Sequence, residues 1–205
     1  MTTRIKICGL TRLEDALLCA DKQADYLGFI FVPSTPRFIE PEKAAEITGV
    51  LRDRDSRPKF VGVFRDASPA YINDIASLVG LDYAQLHGAE TDDDIRELKI
   101  PAIKTFRVGD ALPDTTAHPS AEWLLFDTYE ERRVGGTGRR FDWSLLAMYT
   151  RSKPFFLAGG MSPDNVAAAI SLVRPTAIDV SSGVETEPGV KDHEKIEKLF
   201  DRVRR

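Results

Sequence analysis

Cysteine and histidine are scarce: the 205 residues hold two cysteines, Cys8 and Cys19, and three histidines. Two cysteines cannot frame a disulfide scaffold, and no Cys-x-x-Cys or Cys/His spacing is present, so structural zinc and dithiol redox chemistry lack their ligands. Long apolar runs are missing too. Nothing approaches the roughly 20 apolar residues of a spanning helix, and the start, Met1-Thr2-Thr3-Arg4-Ile5-Lys6-Ile7-Cys8-Gly9, has no secretory apolar region. A cytoplasmic protein with no membrane partner is expected. The formal net charge is −4 and basic residues are not clustered, which removes the electrostatic footprint that nucleic acid requires. The glycine-rich run Gly135-Gly136-Thr137-Gly138 is not followed by Lys-Ser or Lys-Thr at the spacing of a nucleotide-binding P-loop.

What is present is a hydrophobic fraction of 42% without low-complexity tracts, enough for one well-filled core and one domain over residues 1–205. Short apolar, β-rich runs at Ile5–Cys8, Tyr26–Val32, Phe60–Phe64, Tyr83–Leu86, Ala102–Phe106, Trp123–Asp127, Phe155–Ala158 and Ala177–Val180 alternate with segments of helical period. Pro41 and Pro69 suit first helical turns, and Asp142 and Asp192 suit N-caps. About eight strand–helix units in one short chain predict an α/β fold, a (β/α)8 TIM barrel; a doubly wound open sheet alternates likewise but fits the number of units less well. The fifth helix should be short or missing, because Val108–Glu122 carries Pro113, Pro119 and the cluster Asp114-Thr115-Thr116. Cys19, in the amphipathic stretch Leu13–Ala20, reads as a buried small hydrophobe.

Barrel enzymes place their chemistry at the C-terminal ends of strands. Here those ends carry Cys8, Arg37, His87, Asp127, the Gly135–Gly138 run, Gly159–Gly160 and Ser181–Gly183. Side chains alternate along a strand, so an inward Cys8 takes Lys6 and Arg4 inside and leaves Ile5 and Ile7 to face helices. A charged Lys6 inside a barrel needs a carboxylate, and Asp179 and Asp25 are the candidates. By the same parity Asp127 brings Trp123 and Leu125 inside and sends Leu124 and Phe126 outward.

Each candidate has a plainer alternative. Asp127, just past an apolar run, is placed to be desolvated and hold a proton, or it is a loop cap or salt-bridge partner. Cys8 is a reactive thiol or a core residue, and Gly9 opens space beside its sulfur. Arg37, on a loop stiffened by Pro33 and Pro36, is a clamp for a carboxylate or one more surface arginine. His87 is a strand-end donor or a structural histidine, while His118 and His193 read as surface positions. Gly159-Gly160 and Ser181-Ser182-Gly183, at the ends of the last two strands, let backbone N–H groups approach a phosphate, with tight turns as the alternative. Gly136 belongs to a run of the same composition that would close over the phosphate or sugar. A small phosphorylated molecule is therefore the expected ligand, with Asp179 beside it.

In chain order, Lys-Ile-Cys-Gly-Leu-Thr at 6–11, Gly-Phe-Ile-Phe-Val-Pro-Ser-Thr-Pro-Arg at 28–37, Val-Gly-Val-Phe at 61–64 and Gln-Leu-His-Gly at 85–88 resemble the phosphoribosylanthranilate isomerases. Gly-Gly-Thr-Gly, Phe-Asp-Trp, Leu-Ala-Gly-Gly, Asp-Val-Ser-Ser-Gly-Val-Glu and Pro-Gly-Val-Lys-Asp extend the likeness to the C-terminus. Ala84 departs from the more usual valine, a matter of packing.

The resemblance implies an Amadori rearrangement in tryptophan biosynthesis, without metal or cofactor. It also implies Asp127 as acid, Cys8 as base and Arg37 as clamp on the anthranilate carboxylate, in a monomer or a homodimer. An ordinary thiol, pKa ~8.5, is only about 3% ionised at pH 7 and an ordinary Asp is almost wholly charged, so the site is expected to shift both. The rival readings are a ribulose-phosphate epimerase, an indole-glycerol-phosphate synthase, and a non-catalytic sugar-phosphate-binding barrel. The first would need metal-ligand histidines and the second a catalytic lysine; the third would leave Cys8 and Asp127 unused.

Overall fold

The structure, a computed structural model, describes residues 2–52, 58–109, 111–127, 143–147 and 149–204. Its strands form where the β-rich runs lie: β1 (Arg4–Ile7), β2 (Tyr26–Ile30), β3 (Lys59–Phe64), β4 (Tyr83–Leu86), β5 (Ala102–Arg107), β6 (Trp123–Asp127), β7 (Phe155–Ala158) and β8 (Ala177–Val180). All are parallel, in chain order, and β1 pairs with β8 to close the barrel, with Lys6 opposite Asp179. A closed ring leaves no edge strand to protect.

Helices α1 (Leu13–Asp21), α2 (Pro41–Arg52), α3 (Pro69–Val79), α4 (Asp92–Arg96), α5 (Ser144–Ala147), α6 (Val166–Val173) and α7 (His193–Val203) surround it. Their ends follow local chemistry. Pro41 and Pro69 open α2 and α3, Ser68 accepts from the Tyr71 N–H at 3.3 Å, and Gly80 ends α3 at φ +70°. Asp192 caps α7 by accepting from the Lys195 N–H at 3.1 Å, while Asp142 lies outside the described residues. Between β5 and β6 no helix forms among the described residues. Lys153 donates instead to the carbonyls of Pro119, at 2.6 Å, and Ala121, so this irregular backbone is satisfied by a side chain.

The parity argument holds on both strands tested. Tyr26, Val61, Ile103, Trp123, Leu125 and Phe156 pack together inside the barrel, whereas Ile5, Ile7, Leu124 and Phe126 belong to the larger barrel–helix layer. Aromatic rings fill the lower interior: Tyr26 and Trp123 lie 5.1 and 5.0 Å from Phe156, and Arg4 sits 5.7 Å over Trp123 while donating to the Tyr26 hydroxyl at 3.0 Å. Cys19 is fully buried on α1, as its setting predicts, and burial pushes its thiol up to about 12. Beyond β8, a short ribbon of β9 (Glu185–Glu187) and β10 (Val190–Lys191) turns at Gly189, φ +86°, and Thr11 donates to the Gly189 carbonyl at 2.6 Å, docking the ribbon over the end of β1.

Candidate active site

The strand ends converge on one cavity of about 430 Å³, whose wall includes Cys8, Arg37, His87, Asp127, Gly159, Gly160, Asp179, Ser181 and Ser182. Nine positions singled out in the sequence therefore meet. Gly183 is absent from the wall because it lies underneath: a Cβ there would sit 1.9 Å from the Met161 carbonyl oxygen, so only glycine lets the loop after β8 pack on the loop after β7. Gly136 lies outside the described residues.

Cys8 is the first residue past β1, fixed by its N–H donating to the Val180 carbonyl at 2.8 Å. Across from it Gly28 has no side chain to spare, since a Cβ would lie 2.8 Å from the Cys8 sulfur. Beneath the sulfur, Lys6 is wholly buried and donates to both oxygens of Asp179 at 3.0 Å and to Gln85 Oε1 at 2.9 Å. Asp179 is thus the partner that the buried lysine required, and its two oxygens are engaged from below. Asp25 serves elsewhere, accepting from the Ile5 N–H at 2.9 Å. Burial disfavours the Lys6 ammonium, but Asp179 and Cys8 outweigh it and hold the group above its ordinary range. The Cys8 thiol departs from expectation: burial pushes it up, against the pull of Lys6 and Lys191, and so favours the protonated thiol.

Asp127 ends β6, and His87 Nε2 stands 3.5 Å from its Oδ2. Arg37 is no loose surface arginine. Its Nε lies 3.0 and 3.1 Å from the two oxygens of Glu185 and its Nη2 donates to one of them at 2.6 Å, an ion pair that raises the guanidinium pKa. Proline stiffness is therefore only part of what fixes Arg37; a carboxylate 148 positions away supplies the rest. Lys191, also buried, donates to Glu185 Oε1 at 2.7 Å and to the Cys8 carbonyl at 2.6 Å, so the β9–β10 ribbon grips both the clamp arginine and the cysteine backbone. Burial pushes the Glu185 carboxyl up, but Arg37 and Lys191 prevail and hold it below the usual range.

Gly159 and Gly160 have φ +90° and +63°, conformations that strain other residues, and a Cβ on Gly160 would point into open space. Beside them the Ser181 hydroxyl is buried, with no hydrogen-bond partner among the described residues. One sequence reading is corrected here: His118 is half-buried, edge-on to Phe106 with the ring centroids 5.7 Å apart, and burial together with Lys104 lowers its pKa. His193 is exposed as expected, although it meets Asp15 at 2.8 Å. Gln85, Glu185, Lys191 and Gly28 were missed; all four stand inside quoted motifs, Gln-Leu-His-Gly, Ser-Ser-Gly-Val-Glu, Pro-Gly-Val-Lys-Asp and the Gly-Phe-Ile-Phe run that opens at 28, which carried their signal. Among the described residues no three His, Cys, Asp or Glu converge as a metal-ligand set, and no helix is long and apolar enough to cross a membrane.

A closed (β/α)8 barrel with a thiol, a carboxylate, an imidazole and a guanidinium around one C-terminal cavity has the architecture of a barrel enzyme. The profile of the N-(5'phosphoribosyl)anthranilate (PRA) isomerase family matches residues 5–202. N-(5'-phosphoribosyl)anthranilate isomerase of Pseudomonas fluorescens (strain Pf0-1) is 45% identical over 98% of both chains. The crystal structure of phosphoribosyl anthranilate isomerase from Thermotoga maritima superposes with a TM-score of 0.85 at 39% identity, covering 98% of each chain. A solved phosphoribosyl anthranilate isomerase in complex with reduced 1-(o-carboxyphenylamino)-1-deoxyribulose 5-phosphate gives the same TM-score, identity and coverage. The chain belongs to the N-(5'-phosphoribosyl)anthranilate isomerase family.

Proposed function

We propose that residues 1–205 act as one catalytic domain that converts N-(5'-phosphoribosyl)anthranilate to 1-(2-carboxyphenylamino)-1-deoxyribulose 5-phosphate in tryptophan biosynthesis, with Asp127 as acid and Cys8 as base. The single observation that carries the assignment is that Cys8 and Asp127 face one cavity whose wall also holds Gly159, Gly160 and the unpartnered Ser181 hydroxyl. A related isomerase binds a reduced form of the product, which has a phosphate at one end and a carboxylate at the other. In this chain Gly159–Gly160 and Ser181–Ser182, seated on Gly183 and joined by Gly136, take the phosphate. Arg37, steadied by Glu185, takes the anthranilate carboxylate.

The chemistry needs two proton transfers at fixed places. Asp127 protonates the furanose ring oxygen as the ring opens to the Schiff base. The Cys8 thiolate then removes the sugar C2 proton, giving the enolamine, and ketonisation delivers a proton to C1, so the isomerisation balances without an external oxidant. His87, 3.5 Å from Asp127, orients that carboxyl. Asp179 lines the sugar pocket while holding Lys6. General acid and base each contribute roughly 10²–10⁴ to such rates.

The protein works in the cytoplasm on a small phosphorylated molecule, as a monomer or a homodimer, with neither nucleic acid nor membrane as partner. The epimerase, synthase and binding-only alternatives lose their footing, because the isomerase family matches residues 5–202. Turnover of freshly made phosphoribosylanthranilate, followed by loss of anthranilate-type fluorescence in the presence of chelator, tests the assignment. Steady metal-independent turnover is expected; folded protein that binds the substrate and leaves it unchanged would overturn it.

A further inference from the structure

Lys6 is not in the cavity wall, yet it is a charged side chain at 0% exposure inside the barrel, two residues before the cysteine. A cation there is costly unless paired, and Asp179 provides the pairing. An ammonium has three protons. One shared by the Asp179 oxygens and one given to Gln85 leave the third for the Cys8 sulfur, two residues along on the same inward face of β1. We propose that Lys6 is a positioning residue for the isomerisation, held charged by Asp179 and oriented by Gln85 so that its ammonium supports the Cys8 thiolate when the base is needed.

The other groups facing the sulfur do not take this place. Arg37 and Lys191 approach from the loop after β2 and from the ribbon, but both are committed to Glu185, and Lys191 reaches the cysteine through its backbone carbonyl. His87 and Asp127 share the cavity wall with Cys8 and lie 3.5 Å from each other. Among the described residues Lys6, on the same inward face of β1 as Cys8, is the cation that most favours the thiolate, while Asp179 disfavours it and so works only through the lysine. The arrangement explains why a thiol whose burial favours protonation sits over a buried ion pair: the pair keeps a positive charge within reach without leaving that charge unneutralised.

The inference rests on Cys8 as base for its importance but not for its test. The pH dependence of Cys8 alkylation by iodoacetamide, with the modified peptide identified so that unreactive Cys19 does not contribute, reads the thiolate directly. Lys6→Met should move the half-maximal pH to the alkaline side, so that alkylation at pH ~8 falls roughly tenfold relative to its own plateau. Because Lys6→Met leaves Asp179 buried without a counter-ion, the neutral pair Lys6→Met/Asp179→Asn guards against loss of the fold and should shift in the same direction. An unchanged half-maximal pH in a folded variant overturns the proposal. In parallel, the acidic limb of kcat/KM should follow the thiol; a thiol that shifts while that limb stays put removes Cys8 as base and overturns the role of Lys6 in the isomerisation, although the lysine still supports the thiolate.

Discussion

The two ends of the barrel interior differ in kind. Below, Tyr26 meets Trp123 and Phe156 edge to face, Trp123 tilts against Phe156, and all three rings are buried. Above, the wall is a thiol, carboxylates, an imidazole and backbone around a cavity of about 430 Å³. Lys6, Gln85 and Asp179 form the boundary, each less than a tenth exposed. The difference teaches that the aromatic floor does more than stabilise. By sealing the barrel from beneath it keeps the boundary layer dry, and in a dry layer a lysine–carboxylate pair acts strongly on its neighbours.

If the division is sound, the two ends should fail differently. Asp127→Asn removes a proton donor at the mouth and is expected to cut kcat by about 10²–10⁴ while leaving the urea midpoint close to wild type. Phe156→Ala, at the floor, should cost about 3–5 kcal/mol of stability by the same urea titration, because the ring is fully buried among other rings. A floor variant that kept its stability, or an Asp127 variant that lost it, would erase the contrast.

A smaller effect sharpens the comparison through pH. Glu185 in the folded protein lies below its ordinary value of 4.5, so its contribution to stability is present in full above that pH and is lost as the pH falls through the lower folded value. Glu185→Gln should therefore lower the urea midpoint at neutral pH and flatten its decline as the pH falls below about 4.5. An acid limb identical to wild type would show that the Arg37–Glu185–Lys191 cluster is energetically silent.

Much of this was legible in the sequence, for identifiable reasons. Strand positions follow from β-rich runs broken by turn chemistry, and parity alone put Cys8, Lys6, Trp123 and Asp127 inside. Pro113 and Pro119 pointed to a short or missing helix, and the need of a buried charge for a partner narrowed the choice to Asp179 and Asp25, of which the structure selects Asp179. What stayed hidden depends on packing between distant segments. Nothing local in Arg37 names Glu185, and nothing in Lys191 names the Cys8 carbonyl 183 positions away. The direction of the Cys8 titration was hidden for the same reason, since desolvation exists only once the barrel is closed. Gly28 reads as an ordinary strand glycine until the sulfur is seen to occupy the place of its Cβ.

The central claim is that the mouth performs the chemistry over a floor that seals and supports it, and Cys8→Ala tests it most directly. Its kcat with phosphoribosylanthranilate should be measured beside wild type, together with thermal unfolding of both proteins. A fall of about 10²–10⁴ in kcat with little change in Tm is the predicted result. Near-normal kcat in the folded variant would contradict the account and return Cys8 to the core.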